Sequence, residues 1–329
     1  MKEAILQQKQ GIVEDIKTKF ETCKSAVLID YRGLTVEEVT NLRNKFREAG
    51  VEYRVLKNTM IRRAVDALGM EGLETRLTEL LGSYDGTWSV YVKDLTNDQE
   101  FDLGSQSLYS ASLIKAFVMA QTYASMDTVL QSEAAKMKKD VSDPAVATKV
   151  NDLLWNMITV SDNESFNELV RLQTTSGVFK DGAEAVNAFL AENQFADTSV
   201  QHTLSPSASK DAGLGGRNTT SVKDCGELLS RIYKGECVSK EASEAMLNLL
   251  LNQQVTTKIP SGISASVEIA NKTGETDTDQ HDIAIVYGEK TTYILCVMSE
   301  NCKSGDAVSH IRDISGIVYN YLNMRLDQD

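Results

Sequence analysis

Ala111-Ser112-Leu113-Ile114-Lys115-Ala116-Phe117-Val118 is the stretch on which the reading of this 329-residue chain turns. Leu113, Ile114, Phe117 and Val118 recur with helical spacing, so the segment predicts a buried helix opening at Ser112. Ser112 and Lys115, three apart, then share a face. A lysine beside a hydroxyl can take its proton when burial or a neighbouring cation lowers the lysine pKa. The helix N-terminus also points N–H groups at an oxyanion forming on an attacked carbonyl. Alone, a Ser-x-x-Lys spacing is weak evidence, because a chain this long holds about one or two by chance at average usage. Ser207-Ala208-Ser209-Lys210 is such a decoy, and a capping serine with a solvated lysine is the bland alternative for Ser112.

Two further triplets supply the weight. Ser161-Asp162-Asn163 follows an apolar helix predicted over 153–160, and Lys272-Thr273-Gly274 ends a strand predicted over 267–271. Each alone reads as a cap or a turn. The three together, in this order, on a helix start, an interhelical loop and a strand, rarely arise by accident. They are the motif set of class A β-lactamases and penicillin-binding proteins. Residues from about 82 to 329 resemble β-lactamase-related serine hydrolases beyond those triplets. The likeness runs through Trp88-Ser89-Val90-Tyr91-Val92-Lys93-Asp94-Leu95, Ala270-Asn271-Lys272-Thr273-Gly274-Glu275 and His281-Asp282.

The resemblance implies a mechanism residue by residue. Ser112 would attack a carbonyl and become acylated, with Lys115 as general base or its helper. Ser161 would pass a proton to the leaving nitrogen. Asn163 would hold the substrate amide and the Lys115 side chain. Lys272 and Thr273 would bind a substrate carboxylate. The N–H groups of Ser112 and Glu275 would form the oxyanion hole, with Gly274 and Glu275 also on the substrate-binding side. The substrate would be a β-lactam or a D-Ala-type peptide, with no cofactor and no metal, in a monomer.

Two departures qualify this expectation. The family's deacylating glutamate, from an ExxLN loop, should fall within 203–212. There the chain reads Thr203-Leu204-Ser205-Pro206-Ser207-Ala208-Ser209-Lys210-Asp211-Ala212, with Asp211 as its one carboxylate. Without a general base an acyl-enzyme hydrolyses slowly, so acylation with poor turnover is expected. Glu275 also adds a negative charge beside the carboxylate site. His281-Asp282 is expected to be a structural hydrogen-bonded pair. Asp277, Asp279 and Asp282 are expected to form a solvated acidic turn, because the glycine of a calcium loop is absent.

Outward from this core, a strand is predicted from Thr87 to Val92. A helical stretch runs from Ser112 to about Leu251, broken at Pro144, at Gly177 and by a loop over 205–218. Strands are predicted over 265–272, 282–287 and 292–298, and a last helix over 311–322. The fold class is α+β: an antiparallel sheet flanked by terminal helices, with an all-helical subdomain of β-lactamase/transpeptidase type.

A small α/β segment precedes it, giving domains over 1–73 and 74–329. Its pattern is helix, strand (25–30), helix, strand (51–55), helix, with Thr35 and Glu38 forming a capping box and Gly50 a stop. Asp30-Tyr31-Arg32-Gly33-Leu34-Thr35, Phe46-Arg47-Glu48-Ala49-Gly50-Val51 and Val55-Leu56-Lys57-Asn58-Thr59 resemble the N-terminal half of bacterial large-subunit ribosomal protein ten. The resemblance implies rRNA docking, with Lys57, Arg62 and Arg63 as candidate phosphate contacts. The match stops near Leu73, so a half-domain with exposed edges and apolar surface is expected, in a chain that reads as a fusion.

Charge is uneven: of the net −13, residues 1–73 carry +2 and the rest −15. The acidic body excludes a nucleic-acid binder of the usual basic kind. No apolar run is long enough to span a membrane, and no signal-peptide pattern is visible, which points to the cytoplasm although the resembled hydrolases act outside it. The five cysteines fit no metal spacing and read as free thiols, with Cys296–Cys302 or Cys225–Cys237 as the pairs open to an exported domain. Two further readings stand beside the enzyme: a ribosome-associated protein acting through residues 1–73, and a catalytically silent binding domain.

Overall fold

The computed structural model describes residues 2–23, 33–57, 59–61, 64, 69–205 and 213–323. The chain divides into two compact units, one within residues 1–76 and one over residues 77–324.

In the first unit, helix α1 (Lys2–Thr22) is followed by helix α2 (Val36–Glu48). The capping box opens α2: the Thr35 hydroxyl accepts from the Glu38 N–H at 3.2 Å, and the Glu38 carboxylate accepts from the Thr35 N–H at 2.7 Å. Residues 51–55 form no strand, which corrects the expectation, and the other expected strand, 25–30, lies outside the described residues. Glu52 and Arg54 pair with Lys19 (2.8 Å) and Asp15 (2.5 Å) of α1, while Tyr53 stacks on Phe46 of α2 at 5.5 Å. The alternation that suggests a strand is real, but it serves contacts with two helices. No side chain of α2 is buried, and Leu34, Val36, Val51 and Val55 are exposed, which is the apolar surface expected of a half-domain.

Helix α3 (Glu71–Leu81) crosses the division between the units. The second unit is built on an antiparallel sheet of β1 (Thr87–Asp94), β2 (Glu100–Leu103), β5 (Ile269–Glu275), β6 (Gln280–Tyr287) and β7 (Thr292–Glu300), in the order β2-β1-β7-β6-β5. The first and last of these strands in the sequence are neighbours, with Val90 opposite Val297. A two-stranded ribbon joins β3 (Leu108–Tyr109) to β4 (Thr219–Thr220).

Nearly every residue of β1, β6 and β7 is buried, because helices cover both faces of the sheet. Ile283, Ile285, Ile294, Cys296 and Met298 face a large core shared with helix α9 (Val222–Lys234). The alternate residues Ala284, Val286, Leu295 and Val297 lie outside that core, on the face against which α11 (Ser304–Leu322) packs. A β-carbon on Gly226 of α9 would fall 2.2 Å from the Tyr91 ring, so glycine lets this helix approach β1.

Between the halves of the sheet sit α4 (Ile114–Ala124), α5 (Met126–Met137), α6 (Pro144–Thr159), α7 (Asn163–Arg171), α8 (Phe179–Glu192), then α9 and α10 (Lys240–Leu251). Every residue of α4 from Ile114 to Thr122 is buried, so α4 is the central helix of this layer, packed by α5, α6, α7, α8 and α10. Burying a side chain such as Phe117 is worth about 1.5–3 kcal/mol.

Pro144 opens α6 with Asp143 as its cap, and Gly177 precedes α8, as the sequence predicts. The break at Ser125 between α4 and α5 is not predicted. There the Ser125 hydroxyl lies 2.6 Å from Gln173 Oε1 and 2.8 Å from the Gln121 carbonyl, while its N–H still closes the last helical bond to Gln121 at 2.9 Å. Strand β5 starts at Ile269 and includes Lys272-Thr273-Gly274 within it, ending on Glu275. The last helix begins at Ser304 rather than 311. All five cysteines are unbridged.

Candidate active site

Ser112 does not cap the helix. It lies half-buried in a 3₁₀ turn, Ala111–Leu113, that leads into α4. Ala111, just before it, has φ +43°, a left-handed conformation costing about 1–3 kcal/mol for a non-glycine residue. Strand β5 lies against this turn. A β-carbon on Gly274 would sit 3.1 Å from the Ser110 carbonyl oxygen and 3.2 Å from both the Leu113 nitrogen and the His281 ring, so a side chain there would make this turn give by a few tenths of an ångström.

Lys115 is fully buried, which disposes of the solvated lysine. Its Nζ lies 2.9 Å from Ser112 Oγ, 3.1 Å from Ser161 Oγ, 2.6 Å from the Ser161 carbonyl and 2.7 Å from Asn163 Oδ1. The two carbonyl oxygens can only accept, and they are the nearest partners. Two N–H bonds of a neutral amine satisfy them, and its lone pair is left for a hydroxyl. Burial pushes the Lys115 pKa down to about 7, against the opposing pull of Asp162. The neutral form is therefore within reach at neutral pH.

Ser161 bridges two amines. Its Oγ also accepts from Lys272 Nζ at 2.9 Å, and Lys272 donates to the Thr273 carbonyl at 2.6 Å. Burial first, and then repulsion from Lys115, hold the Lys272 pKa well below that of a free lysine. Two ammonium groups flanking one oxygen would repel strongly in so dry a place, so one proton is readily surrendered. Ser161 itself has φ +60°, a second left-handed residue at the site. Asp162 caps α7, accepting from the Ser165 N–H at 2.6 Å, and so fixes where Asn163 begins that helix.

Residues that the motifs do not reveal hold this arrangement. Asn163 Nδ2 donates to the Ser205 carbonyl at 2.6 Å. One turn on, the buried Asn167 donates to the Leu204 carbonyl (2.9 Å) and accepts from its N–H (2.8 Å). The i, i+4 asparagines were the available signal. Together they tie down the start of the loop at 203–205; Asp211 and the decoy serine–lysine stretch lie outside the described residues.

Beneath β5, Lys258 donates to the carbonyls of Gly274 (3.0 Å) and His281 (3.1 Å) and lies 3.1 Å from Glu275 Oε2. His281 and Asp282 are not a pair. The Ser299 N–H points at His281 Nδ1 (3.3 Å), so Nε2 carries the proton and donates to the Tyr109 carbonyl at 2.9 Å. Burial, helped by Lys258, lowers the His281 pKa to about 4 and keeps the ring neutral. Asp282 accepts from the Ile259 N–H (2.9 Å) and from Asn271 Nδ2 (3.0 Å), and burial raises its pKa to about 6. Asp279 and Asp282 are buried, which corrects the solvated acidic turn: Asp279 accepts from the Thr276 hydroxyl at 2.9 Å and orders the β5–β6 hairpin.

Ser112, Lys115, Ser161, Asn163 and Lys272 thus form one hydrogen-bonded cluster where α4, α7 and β5 meet; Thr273 and Gly274 follow Lys272 in β5, with Gly274 against the Ser112 turn, and Glu275 lies beside Lys258. Of the candidate phosphate contacts, Lys57 is exposed, and Arg62 and Arg63 lie outside the described residues.

Comparison with known proteins agrees with both halves. A family model described as the β-lactamase enzyme family matches residues 72–322, and one for ribosomal protein L10 matches residues 4–83. Large ribosomal subunit protein uL10 of Staphylococcus aureus (strain JH9) is 53% identical over 75 residues, 23% of this chain. The chain spans 45% of the length of that relative.

Among solved structures, PBP-A superposes with a TM-score of 0.61 at 22% identity, covering 75% of this chain and 94% of PBP-A. A β-lactamase from Sphaerobacter thermophilus gives a TM-score of 0.62 at 19% identity, covering 78% and 99%. An ancestral class A β-lactamase gives 0.60 at 20% identity, covering 75% and 98%. At such identities the likeness establishes the fold, and the family match covers most of the sequence. The chain belongs to the β-lactamase enzyme family, fused to an N-terminal segment related to ribosomal protein L10.

Proposed function

We propose that the second unit is a serine acyl-enzyme of the β-lactamase and penicillin-binding type that is acylated on Ser112 and released slowly. One observation carries the reading: the Lys115 amine lies 2.9 Å from Ser112 Oγ while two carbonyl oxygens engage two of its hydrogens. In this scheme neutral Lys115 takes the Ser112 proton as Oγ attacks an amide carbonyl. The oxyanion is received by the N–H groups of Ser112 and Glu275. Ser161, between Lys115 and Lys272, delivers a proton to the leaving nitrogen. Asn163 orients the substrate amide, and Lys272 with Thr273 forms the anion-binding end of the cleft.

Hydrolysis of the ester then needs a base for water, and residues 203–212 offer only Asp211. β-Lactams and D-Ala-type peptide amides are the proposed donors. Incubation with a fluorescent penicillin tests the scheme: a covalent band in the native protein and none in Ser112→Ala supports it, whereas equal labelling or no labelling of both refutes it.

A second reading concerns the N-terminal segment, and the 53% identity to uL10 favours it. Residues 1–73 form a functional part of their own that docks on rRNA through Lys57, Arg62 and Arg63. Co-sedimentation with large ribosomal subunits that weakens with salt supports docking. No co-sedimentation at low salt rules it out.

A further inference from the structure

Lys258 is a buried amine beneath β5 whose pKa burial lowers, against the pull of Asp282 and Glu275. Its side chain is 1% exposed, and two of the three hydrogens of its ammonium go to the carbonyls of Gly274 and His281. The third faces the Glu275 carboxylate at 3.1 Å, and the buried Asp282 carboxylate also attracts the amine. The pair is lopsided, because the Glu275 side chain is 61% exposed. The cation is fixed in the fold, whereas its partner reaches in from solvent and can swing away.

Glu275 directly follows Lys272-Thr273-Gly274, at the end of β5 where the acyl-enzyme scheme places the negative group of a substrate. A carboxylate arriving there meets the like charge of the exposed Glu275 side chain beside it. A neutral group meets no such opposition, and a cationic one gains a partner.

We propose that Glu275 is a specificity-determining residue, acting through its side chain: placed beside the anion-binding Lys272-Thr273 end, it slows acylation by donors that carry a carboxylate there relative to donors whose group is neutral or cationic. Repulsive elements of this kind discriminate between partners without adding affinity for the favoured one. The inference rests on the acyl-enzyme reading. It concerns only the Glu275 carboxylate, since the backbone N–H assigned to the oxyanion is kept in any substitution.

The test compares three β-lactam probes that differ at one place, a free carboxylate, its methyl ester, and an amide bearing an ammonium group. Rates of acylation at Ser112 are read by mass in the native protein, Glu275→Gln and Glu275→Ala. Lys258 keeps its bonds to the Gly274 and His281 carbonyls in both variants, and unfolding curves taken beside the rates check that the fold is kept. The ratio of carboxylate to ester rates is expected to rise about five-fold or more in both variants, the scale of removing a half-exposed like charge. The ratio of ammonium to ester rates is expected to fall. Ratios unchanged in both variants overturn the inference and leave the acyl-enzyme reading standing. Absence of any Ser112 adduct, from any probe in any of the three proteins, overturns both.

Discussion

Acylation of Ser112 should titrate with Lys115, with an inflection near pH 7. An ordinary lysine at pKa 10.5 is almost wholly protonated at pH 7, whereas with its pKa lowered to about 7 half of it is neutral, a gain of about a thousand-fold in available base. About 1% of the amine remains neutral at pH 5, so the acylation rate should fall about ten-fold per pH unit below 7 and level off above it. The assay is the second-order rate constant for a chromogenic cephalosporin, taken from single-turnover traces between pH 5 and 9. Asp162 opposes the downward shift, so Asp162→Asn should move the inflection to lower pH. Asparagine still caps α7, which keeps the geometry. A rate independent of pH over this range, or one still climbing at pH 9 toward an ordinary lysine, would refute neutral Lys115 as the base.

Other outcomes follow from the packing. Gly274→Ala puts a β-carbon 3.1–3.2 Å from the Ser110 oxygen, the Leu113 nitrogen and the His281 ring, so the turn carrying Ser112 should shift by a few tenths of an ångström, slowing acylation and lowering stability by about 1 kcal/mol, measured by denaturant unfolding. Asn167→Ala removes both bonds to Leu204 and should speed hydrogen exchange at the Leu204 amide, with a loss of about 1–3 kcal/mol. Buried Lys115 also taxes the fold. Between pH 7 and 10.5 the unfolded chain keeps a proton that the folded one has lost, so native stability should rise with pH relative to Lys115→Met, by about 1.4 kcal/mol per pH unit, and the difference should flatten below pH 7. Parallel unfolding curves for the two proteins across that window would contradict the burial argument.

The parts legible in the sequence were those with local signals. The apolar run after Ser112 announces a central helix, and the Thr35–Glu38 box marks the start of α2. Alternation locates β6 and β7, although β5 begins later than its apolar residues suggest because residues 263–268 lead into it outside any strand. The three motifs bring Ser112, Lys115, Ser161 and Lys272 into one hydrogen-bonded cluster. What stayed hidden is set by contacts far along the chain. Nothing near Lys258 in the sequence says that it lies beneath Gly274, and nothing near Asn167 says that Leu204 lies across from it. Val51 to Val55 misled for the converse reason: alternation reports two faces, not what covers them.

The central claim is a covalent bond between Ser112 and a ring-opened lactam, so the most direct measurement is the mass of the intact protein over time with a penicillin, followed by peptide mapping. The account predicts one added ligand mass, carried by the peptide containing Ser112 and persisting long after excess drug is removed. An unmodified protein, or an adduct on any other residue, would contradict it.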